Sequence, residues 1–242
     1  MKTILVTGTN KGIGLEFARQ YLNEGFKVIA TCRNLSKLDG LDGLVNSFPD
    51  KISIYQMELL DEKSIEDFSL EIKDIPIDIF INNAGLTFGY SRNAKLSNTG
   101  ISLNKLNTFG YIKSENWLPI FKANCIAPLL LTQLLYRNFL LGNQKKIVFI
   151  SSKPASITEN TGGSMYMSRS SRSALNQVIK SLSVDLIKDG ISPSGNYSNG
   201  FSGYFWCCHI CYFVSIFCRN ELCSLTHPTL FAKTFIRFSS WS

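Results

Sequence analysis

The chain has 242 residues, of which 45% are hydrophobic and 18% are charged, and this composition excludes disordered, collagen-like and coiled-coil proteins. The 25 Lys and Arg residues and 18 Asp and Glu residues leave a net charge of +7, which suits an anionic ligand but does not indicate nucleic-acid binding without a clustered basic patch. The first residues lack the apolar region of a secretory signal, and five of the seven cysteines lie after residue 200, so we expect a cytoplasmic protein without a disulfide framework.

Apolar, β-rich runs alternate with segments of helical period along residues 1–190. In chain order, the predicted strands are 3–7, 26–31, 52–56, 77–81 and 146–151, and the predicted helices are 12–23, 35–47, 62–73, 114–139 and 170–188. Strands that alternate with helices of this length predict a parallel sheet covered on both faces. Right-handed crossovers then make it a doubly wound α/β sheet of the Rossmann type.

Two stretches depart from this alternation. Residues 86–113 are rich in Asn, Ser, Gly and Thr, and we interpret them as a long surface loop that is either functional or disordered. Residues 191–242 hold 12 of the 29 aromatic residues but only one acidic residue, Glu221. We therefore predict one domain over 1–190, followed by an atypical tail over 191–242 that lacks the sixth strand of a regular sheet.

The tail allows two further interpretations, neither of which its residues favour. The cysteines and histidine of 207–211 are too crowded for the spaced ligand pairs of a zinc site, so we predict no metal. Residues 201–218 contain no Asp, Glu, Lys or Arg, but Ser, Gly, Tyr and His dilute their hydrophobicity, so we expect no membrane insertion. The composition suits a frameshifted or intron-derived translation better than a selected core.

The strongest local signal is a glycine-rich turn between the first strand and the first helix. Glycines at such a turn permit the close approach of a pyrophosphate, which the free N–H groups of the helix N-terminus stabilise. The alternative is a plain turn without a ligand. The candidate cofactor-binding residues of this turn are Gly8, Asn10, Lys11, Gly12, Ile13 and Gly14.

The end of the second strand bears on the choice of cofactor. A fold that selects NAD usually has an acidic residue there, which bonds the ribose 2′-hydroxyl. This chain has Arg33 instead, and Lys11 supplies a second cation, so we predict NADP rather than NAD. The alternative is that both are solvated surface cations.

Several motifs together carry a family resemblance. They read Thr7-Gly-x3-Gly-Ile-Gly14, Asn82-Asn-Ala-Gly85 after the fourth strand, and Ser151-Ser152 after the fifth. The chain resembles the short-chain dehydrogenase/reductase family. The stretches 25–33, 121–133 and 173–178 narrow the resemblance to its carbonyl-reductase-like branch. The resemblance implies NADP-dependent hydride transfer to a small carbonyl substrate, and an oligomer is possible. It adds further cofactor-binding candidates, which are Glu58, Leu59, Asn83, Ala84 and Gly85.

The resemblance also implies roles for two polar residues of the catalytic region. Asn124 matches an asparagine that holds a water molecule in a proton relay, and its alternative role is a hydrogen bond in the core. Ser152 matches the serine that hydrogen-bonds the substrate carbonyl, and its alternative role is to satisfy a nearby backbone group.

The chain departs from the family at the proton donor. The family uses a Tyr and a Lys four residues later on one helix face, and here the matching positions are Ser168 and Arg172. A serine hydroxyl is a far weaker acid than a phenol, and a guanidinium does not deprotonate usefully. Tyr166 lies about 200° from Ser168 around a helix, so it replaces the missing Tyr only if the chain is irregular there.

Three functional interpretations remain open from the sequence. The chain is a carbonyl reductase with reduced or lost activity, a non-catalytic NADP-binding regulator, or a defective product with an out-of-frame tail. The substrate and the oligomeric state are not determined by these residues.

Overall fold

A computed structural model of the protein describes residues 1–86 and 105–198. The chain divides into a compact unit over Met1–Asn199 and a second over Gly200–Ser242, and the described residues belong to the first. Most of the predicted long loop and most of the predicted tail, with its Cys-rich segment, lie outside the described residues.

The strands form one six-stranded parallel sheet with the order β3-β2-β1-β4-β5-β6. Strands β1 and β4 are buried along their whole length, because helices cover both faces of a doubly wound sheet. The bounds are Thr3–Thr7 for β1, Lys27–Cys32 for β2, Ile52–Gln56 for β3, Ile79–Asn82 for β4, Lys146–Ser152 for β5 and Ser192–Ser198 for β6.

Helices follow the strands in alternation, as the sequence predicts. The α-helices are α1 (Gly12–Asn23), α2 (Leu41–Ser47), α3 (Glu62–Glu71), α4 (Ser114–Phe121), α5 (Ala127–Leu134), α6 (Tyr136–Leu141) and α7 (Tyr166–Asp185). Short 3₁₀ turns occur at Lys105–Asn107, Lys153–Ala155 and Ile187–Asp189. No helix in the described ranges combines the length and the apolar character needed to cross a bilayer.

Aromatic packing joins the sheet to its helices at the centre of the core. Phe80 of β4 stacks on Phe139 of α6 with ring centroids 5.9 Å apart, and it meets Phe149 of β5 edge-on at 6.4 Å. All three side chains are fully buried. This packing holds β4 and β5 in place, and both strands end at the candidate site described below.

The prediction of one continuous helix over 114–139 is wrong. The chain forms α4, a π-helical turn over Lys122–Ile126, then α5 and α6. Pro128 has no N–H to donate to the carbonyl of Asn124, and its ring crowds that carbonyl, so the helix widens directly before it. Pro119 and Pro128, both inside this window, were a sequence signal for an irregular helix, and the consequence is the altered backbone around Asn124.

The start of the last helix was also predicted too late. We expected a helix from residue 170, whereas α7 begins at Tyr166. Its first turn is capped from elsewhere in the chain, because the side-chain oxygen of buried Asn107 accepts a hydrogen bond from the N–H of Met167 at 2.9 Å. A cap supplied from about sixty positions away has no local sequence signal.

The expectation that the sheet lacks a sixth strand is wrong as well. β6 lies parallel to β5 with a register that runs from Lys146 opposite Ser192 to Ser152 opposite Ser198. Its residues are mainly Ser, Asn and Gly, which have low strand propensity, so the sequence gives no strand signal. The exposed edge of β5 supplies the backbone partners instead, and the sheet continues past residue 190.

Candidate functional site

The candidate site is a cleft at the carboxyl ends of the parallel strands. Because β1 lies between β2 and β4, successive connections leave β1 in opposite directions, and ligands of open α/β sheets bind at such a point. The cleft has an empty volume of about 910 Å³, including space open to solvent. It is lined by Gly8, Asn10, Lys11, Thr31, Cys32, Arg33, Met57, Glu58, Leu59, Asn83, Ala84, Gly85 and Leu86.

The glycine-rich turn has the backbone that the sequence predicted for it. Gly8 and Gly12 adopt positive φ values of 69° and 63°, which residues with a side chain rarely adopt. A Cβ on Gly14 would collide with the carbonyl oxygen of Gly8, so this position needs glycine for close packing. Gly12, Ile13 and Gly14 form the first turn of α1, with backbone N–H groups available to an anion.

A threonine and an asparagine lock this turn against the end of β4. The hydroxyl oxygen of Thr7 accepts hydrogen bonds from the N–H groups of Asn83 and Ala84, both at 3.0 Å. In return, the Asn83 side-chain amide donates to the carbonyl oxygens of Thr7 at 2.9 Å and Gly8 at 3.2 Å. The side chain of Asn83 therefore positions the glycine turn, and the residue also lines the cleft.

The predicted cations lie on the β2 side of the cleft. Arg33 is exposed directly after β2, and its guanidinium forms no ion pair with the described residues. Lys11 is also exposed and lines the same cleft. Asn10 is engaged at its side-chain amide, which donates to the carboxylate of Asp39 at 2.8 Å.

Glu58 and Leu59 lie at the β3 end of the cleft. The Glu58 carboxylate accepts a hydrogen bond from the N–H of Leu60 at 3.2 Å, so it stabilises the turn that leads into α3. Leu59 is buried and adds an apolar surface to the cleft. An apolar surface can pack against a flat heterocyclic ring, and a carboxylate beside it can accept hydrogen bonds from exocyclic N–H groups of that ring.

Asn124 is fixed by hydrogen bonds in the core. Its side-chain oxygen accepts from the N–H of Leu86 at 2.8 Å, and its amide donates to the Leu86 carbonyl at 2.8 Å and to the hydroxyl of Ser171 at 3.2 Å. Only 1% of Asn124 is exposed. The Asn124 side chain thus bonds both backbone groups of Leu86, as a neighbouring strand would, and fixes the segment that follows β4. This is the core hydrogen-bonding role considered above as the alternative.

Helix α7 brings Ser168 and Arg172 onto one face, as the sequence predicted. The helix is regular from Tyr166 to Asp185, so these residues lie one turn apart. Arg172 Nη1 donates to the carbonyl of Ile150 at 2.8 Å, and burial lowers the pKa of the guanidinium. Tyr166 lies at the start of the helix with 39% of its surface exposed, about 200° from Ser168 around the axis.

Ser152 ends β5 next to the same helix. Its hydroxyl makes no hydrogen bond with the described residues, whereas the neighbouring Ser151 hydroxyl donates to the side-chain oxygen of Asn176 at 3.1 Å. The 3₁₀ turn after Ser152 is tied to α7, because the Ser173 hydroxyl donates to the carbonyl of Ala155 at 2.8 Å. Ser152 therefore has a hydroxyl available to a ligand.

Gly85 lies between the cleft and two polar side chains, those of Arg172 and Asn124. It lines the cleft, and a Cβ placed on it would lie 2.6 Å from Arg172 Nη2 and 2.8 Å from Asn124 Oδ1. Glycine is needed here to leave room for both side chains. Arg172 of α7 therefore lies against a residue that lines the cleft.

The sequence analysis missed some residues that shape the site. Thr7 and Asn107 act through hydrogen bonds to distant backbone, and Thr31, Cys32, Met57 and Leu86 line the cleft. The position of Thr7 directly before the glycine turn is the one sequence signal that could have indicated its structural role. The others follow from how strand ends meet in the folded sheet.

Known proteins resemble this chain in sequence and in fold. A family model described as short chain dehydrogenase matches residues 2–195. The chain is 32% identical over 115 residues to the short chain dehydrogenase/reductase dmxR8 of Cryptosporiopsis sp., a match that covers 45% of this chain and 36% of that relative. The chain thus spans about a third of that relative's length.

Solved structures with a similar fold include two carbonyl reductases. The carbonyl reductase Sniffer of D. melanogaster is 26% identical with a TM-score of 0.68, and the alignment covers 81% of this chain and 80% of that one. The NADPH-bound carbonyl reductase from chicken fatty liver is 25% identical with a TM-score of 0.69, and the alignment covers 81% and 75%.

Proposed function

The chain belongs to the short chain dehydrogenase family, whose model matches residues 2–195, and we propose that it binds NADP but reduces small carbonyl compounds weakly or not at all. The observation that carries this proposal is the regular helix α7, which presents Ser168 and Arg172 where the family resemblance implies Tyr and Lys.

The cleft supports binding of a dinucleotide. The N-terminus of α1 offers backbone N–H groups to the pyrophosphate, and positive-φ glycines let it approach the backbone. The apolar surface of Leu59 suits the adenine ring. Arg33, exposed and without an ion pair among the described residues, suits the 2′-phosphate that distinguishes NADP from NAD.

The catalytic region supports substrate binding better than proton transfer. NADPH, when bound, supplies the hydride. The Ser152 hydroxyl is available to hydrogen-bond a carbonyl oxygen at the end of β5. The proton that this oxygen then needs has no donor of suitable acidity on the face of α7 that carries Ser168 and Arg172, because Ser168 is a poor acid and Arg172 retains its proton.

Restoring the family's pair of residues tests this proposal. We expect the double variant Ser168→Tyr with Arg172→Lys to reduce aromatic aldehydes and ketones about 10²–10⁴-fold faster than the unmodified chain, which is the usual contribution of a positioned general acid. The rate is measured by the loss of NADPH absorbance, with NADPH affinity measured on the same samples.

Tyr166→Phe provides the control. Because Tyr166 lies on another side of α7, we expect this variant to leave the activity of the double variant unchanged. The proposal is wrong if the unmodified chain already turns over substrate as fast as the double variant, because Ser168 then does not limit proton transfer. It is also wrong if Tyr166→Phe abolishes the activity of the unmodified chain.

A further inference from the structure

Arg172 carries a largely, but not fully, buried positive charge without a carboxylate partner in the described part of the chain. Its Nη1 donates to the Ile150 carbonyl, and none of the ion pairs between described residues includes it. Burial lowers the pKa of the guanidinium, but arginine stays charged near neutral pH. A largely buried charge that has no opposite charge beside it loses part of its hydration, so an anion bound from outside would stabilise this arrangement.

The second guanidinium nitrogen lies against Gly85. Nη2 would be 2.6 Å from a Cβ on Gly85, and Gly85 lines the cleft. A guanidinium has five N–H donors in a planar fork, and the structure shows one nitrogen bonded to a backbone carbonyl. Donors therefore remain for a ligand that enters along the backbone of Gly85.

Two serine hydroxyls lie on the elements that hold Arg172. Ser152 follows Ile150 by two residues on β5, so both residues project from the same face of the strand. Ser168 precedes Arg172 by one turn on the same face of α7. Neither hydroxyl forms a hydrogen bond with the described residues, and no acidic residue lines the cleft at this end.

We propose that Arg172, Ser152 and Ser168 bind the carboxylate group of a small organic acid at the Gly85 end of the cleft. A carboxylate is planar and accepts two parallel hydrogen bonds from a guanidinium, which fits the fork geometry better than a single carbonyl oxygen does. The site shares Ser152 with the proposed carbonyl site, but it lies outside the proposed NADP site and its binding does not require the cofactor.

A matched acid and amide test the proposal without cofactor. Propanoate and propanamide have nearly the same shape and differ in charge, and ligand-observed NMR measures their binding to the full chain. We expect propanoate to bind at least about 10-fold more tightly than propanamide, since hydrogen bonds to charged groups are markedly stronger than neutral ones. We expect Arg172→Gln to remove this difference and Ser152→Ala to reduce it.

Arg169→Gln is the control variant. Arg169 lies on the same helix, and its Nε donates to the carbonyl of Gly163 in an exposed position, so the variant changes the net charge equally without touching the site. We expect it to keep the preference for propanoate.

Equal affinity for the acid and the amide would overturn the proposal, as would a preference that survives in Arg172→Gln. If Arg172→Gln does not fold, the acid and amide comparison on the unmodified chain and the effect of Ser152→Ala still decide the matter. NADPH affinity is measured separately by fluorescence, so a chain that binds propanoate but not NADPH contradicts the proposed function alone.

Discussion

Arg33 directly follows the end of β2 and lines the cleft. An arginine at this position meets a phosphate with a planar fork of donors, whereas an acidic residue would meet a ribose hydroxyl. The residue is exposed and its carbonyl accepts from the side chain of Gln56 at 3.2 Å, so the backbone is anchored while the guanidinium extends into solvent. Its effect on the choice of cofactor should therefore be separable from its effect on stability.

We expect the unmodified chain to bind NADPH about 10–100-fold more tightly than NADH, because charge-assisted hydrogen bonds contribute about 1.5–3 kcal/mol. Arg33→Asp should reverse this preference, since its carboxylate repels the 2′-phosphate and accepts from the ribose hydroxyl. Fluorescence titration with both cofactors measures the two dissociation constants.

Arg137→Asp serves as the control for charge. Arg137 pairs with Asp74 on the surface of α6, at an N–O distance of 2.9 Å, and it does not line the cleft. Its replacement should change both affinities equally. Equal affinity of the unmodified chain for NADPH and NADH would show that Arg33 does not contact the 2′-phosphate.

At the scale of elements, the junction of β1 with β4 depends on side chains that replace backbone partners. Thr7 is fully buried, and its hydroxyl accepts from the N–H groups of Asn83 and Ala84, which leave the sheet at that point. The Asn124 side chain acts in the same way, because it hydrogen-bonds both the N–H and the carbonyl of Leu86. Without these bonds, partly buried N–H groups at the floor of the cleft would lack protein acceptors.

Thr7→Val tests this junction, because valine keeps the shape of threonine and removes the hydroxyl. We expect a loss of about 1–3 kcal/mol in the free energy of unfolding, which is the cost of a buried donor left unsatisfied. Urea denaturation measures this change, and NADPH affinity should fall with it because the glycine turn loses its anchor.

Thr132→Val on α5 is the matched control. Thr132 is equally buried, but its hydroxyl only donates to the Pro128 carbonyl within the same helix, at 2.7 Å. We expect a smaller loss of stability there and no change in NADPH affinity. If the two variants lose the same stability, the Thr7 hydroxyl has no special role in the junction.

At the scale of the whole molecule, β6 closes one edge of the sheet. It pairs with β5 along residues 192–198 and packs against α7, where a Cβ on Gly195 would lie 3.2 Å from Ile179 Cδ1. Without β6, strand β5 would present a row of unpaired backbone groups, and such edges promote association. The compact unit that contains the sheet accordingly reaches Asn199.

We expect a chain truncated after Asn199 to fold as a soluble unit, and one truncated after Gly190 to aggregate or unfold, because only the first retains β6. Size-exclusion chromatography and circular dichroism distinguish the two outcomes. In the full chain, amide exchange over 192–198 should be slow. Rapid exchange there, or equal behaviour of the two truncated chains, would mean that β6 does not stabilise the sheet.

The sequence by itself determined the elements that depend on local pattern. The predicted bounds of β1, α1 and β3 agree with the structure, because apolar runs and the glycine turn are short-range signals. It also predicted which strand ends form the cleft and that Ser168 and Arg172 share a helix face, since both follow from the regular periods of strands and helices.

Only the tertiary structure decided the features that depend on distant partners. β6 forms from a weak strand sequence because the edge of β5 offers it hydrogen bonds, and α7 starts early because Asn107 caps it. The sequence likewise does not show that Arg172 lacks a carboxylate partner among the described residues, since this depends on which side chains the fold brings to Gly85. Hydrogen bonds and charges act through space, and a linear pattern does not record which atoms meet.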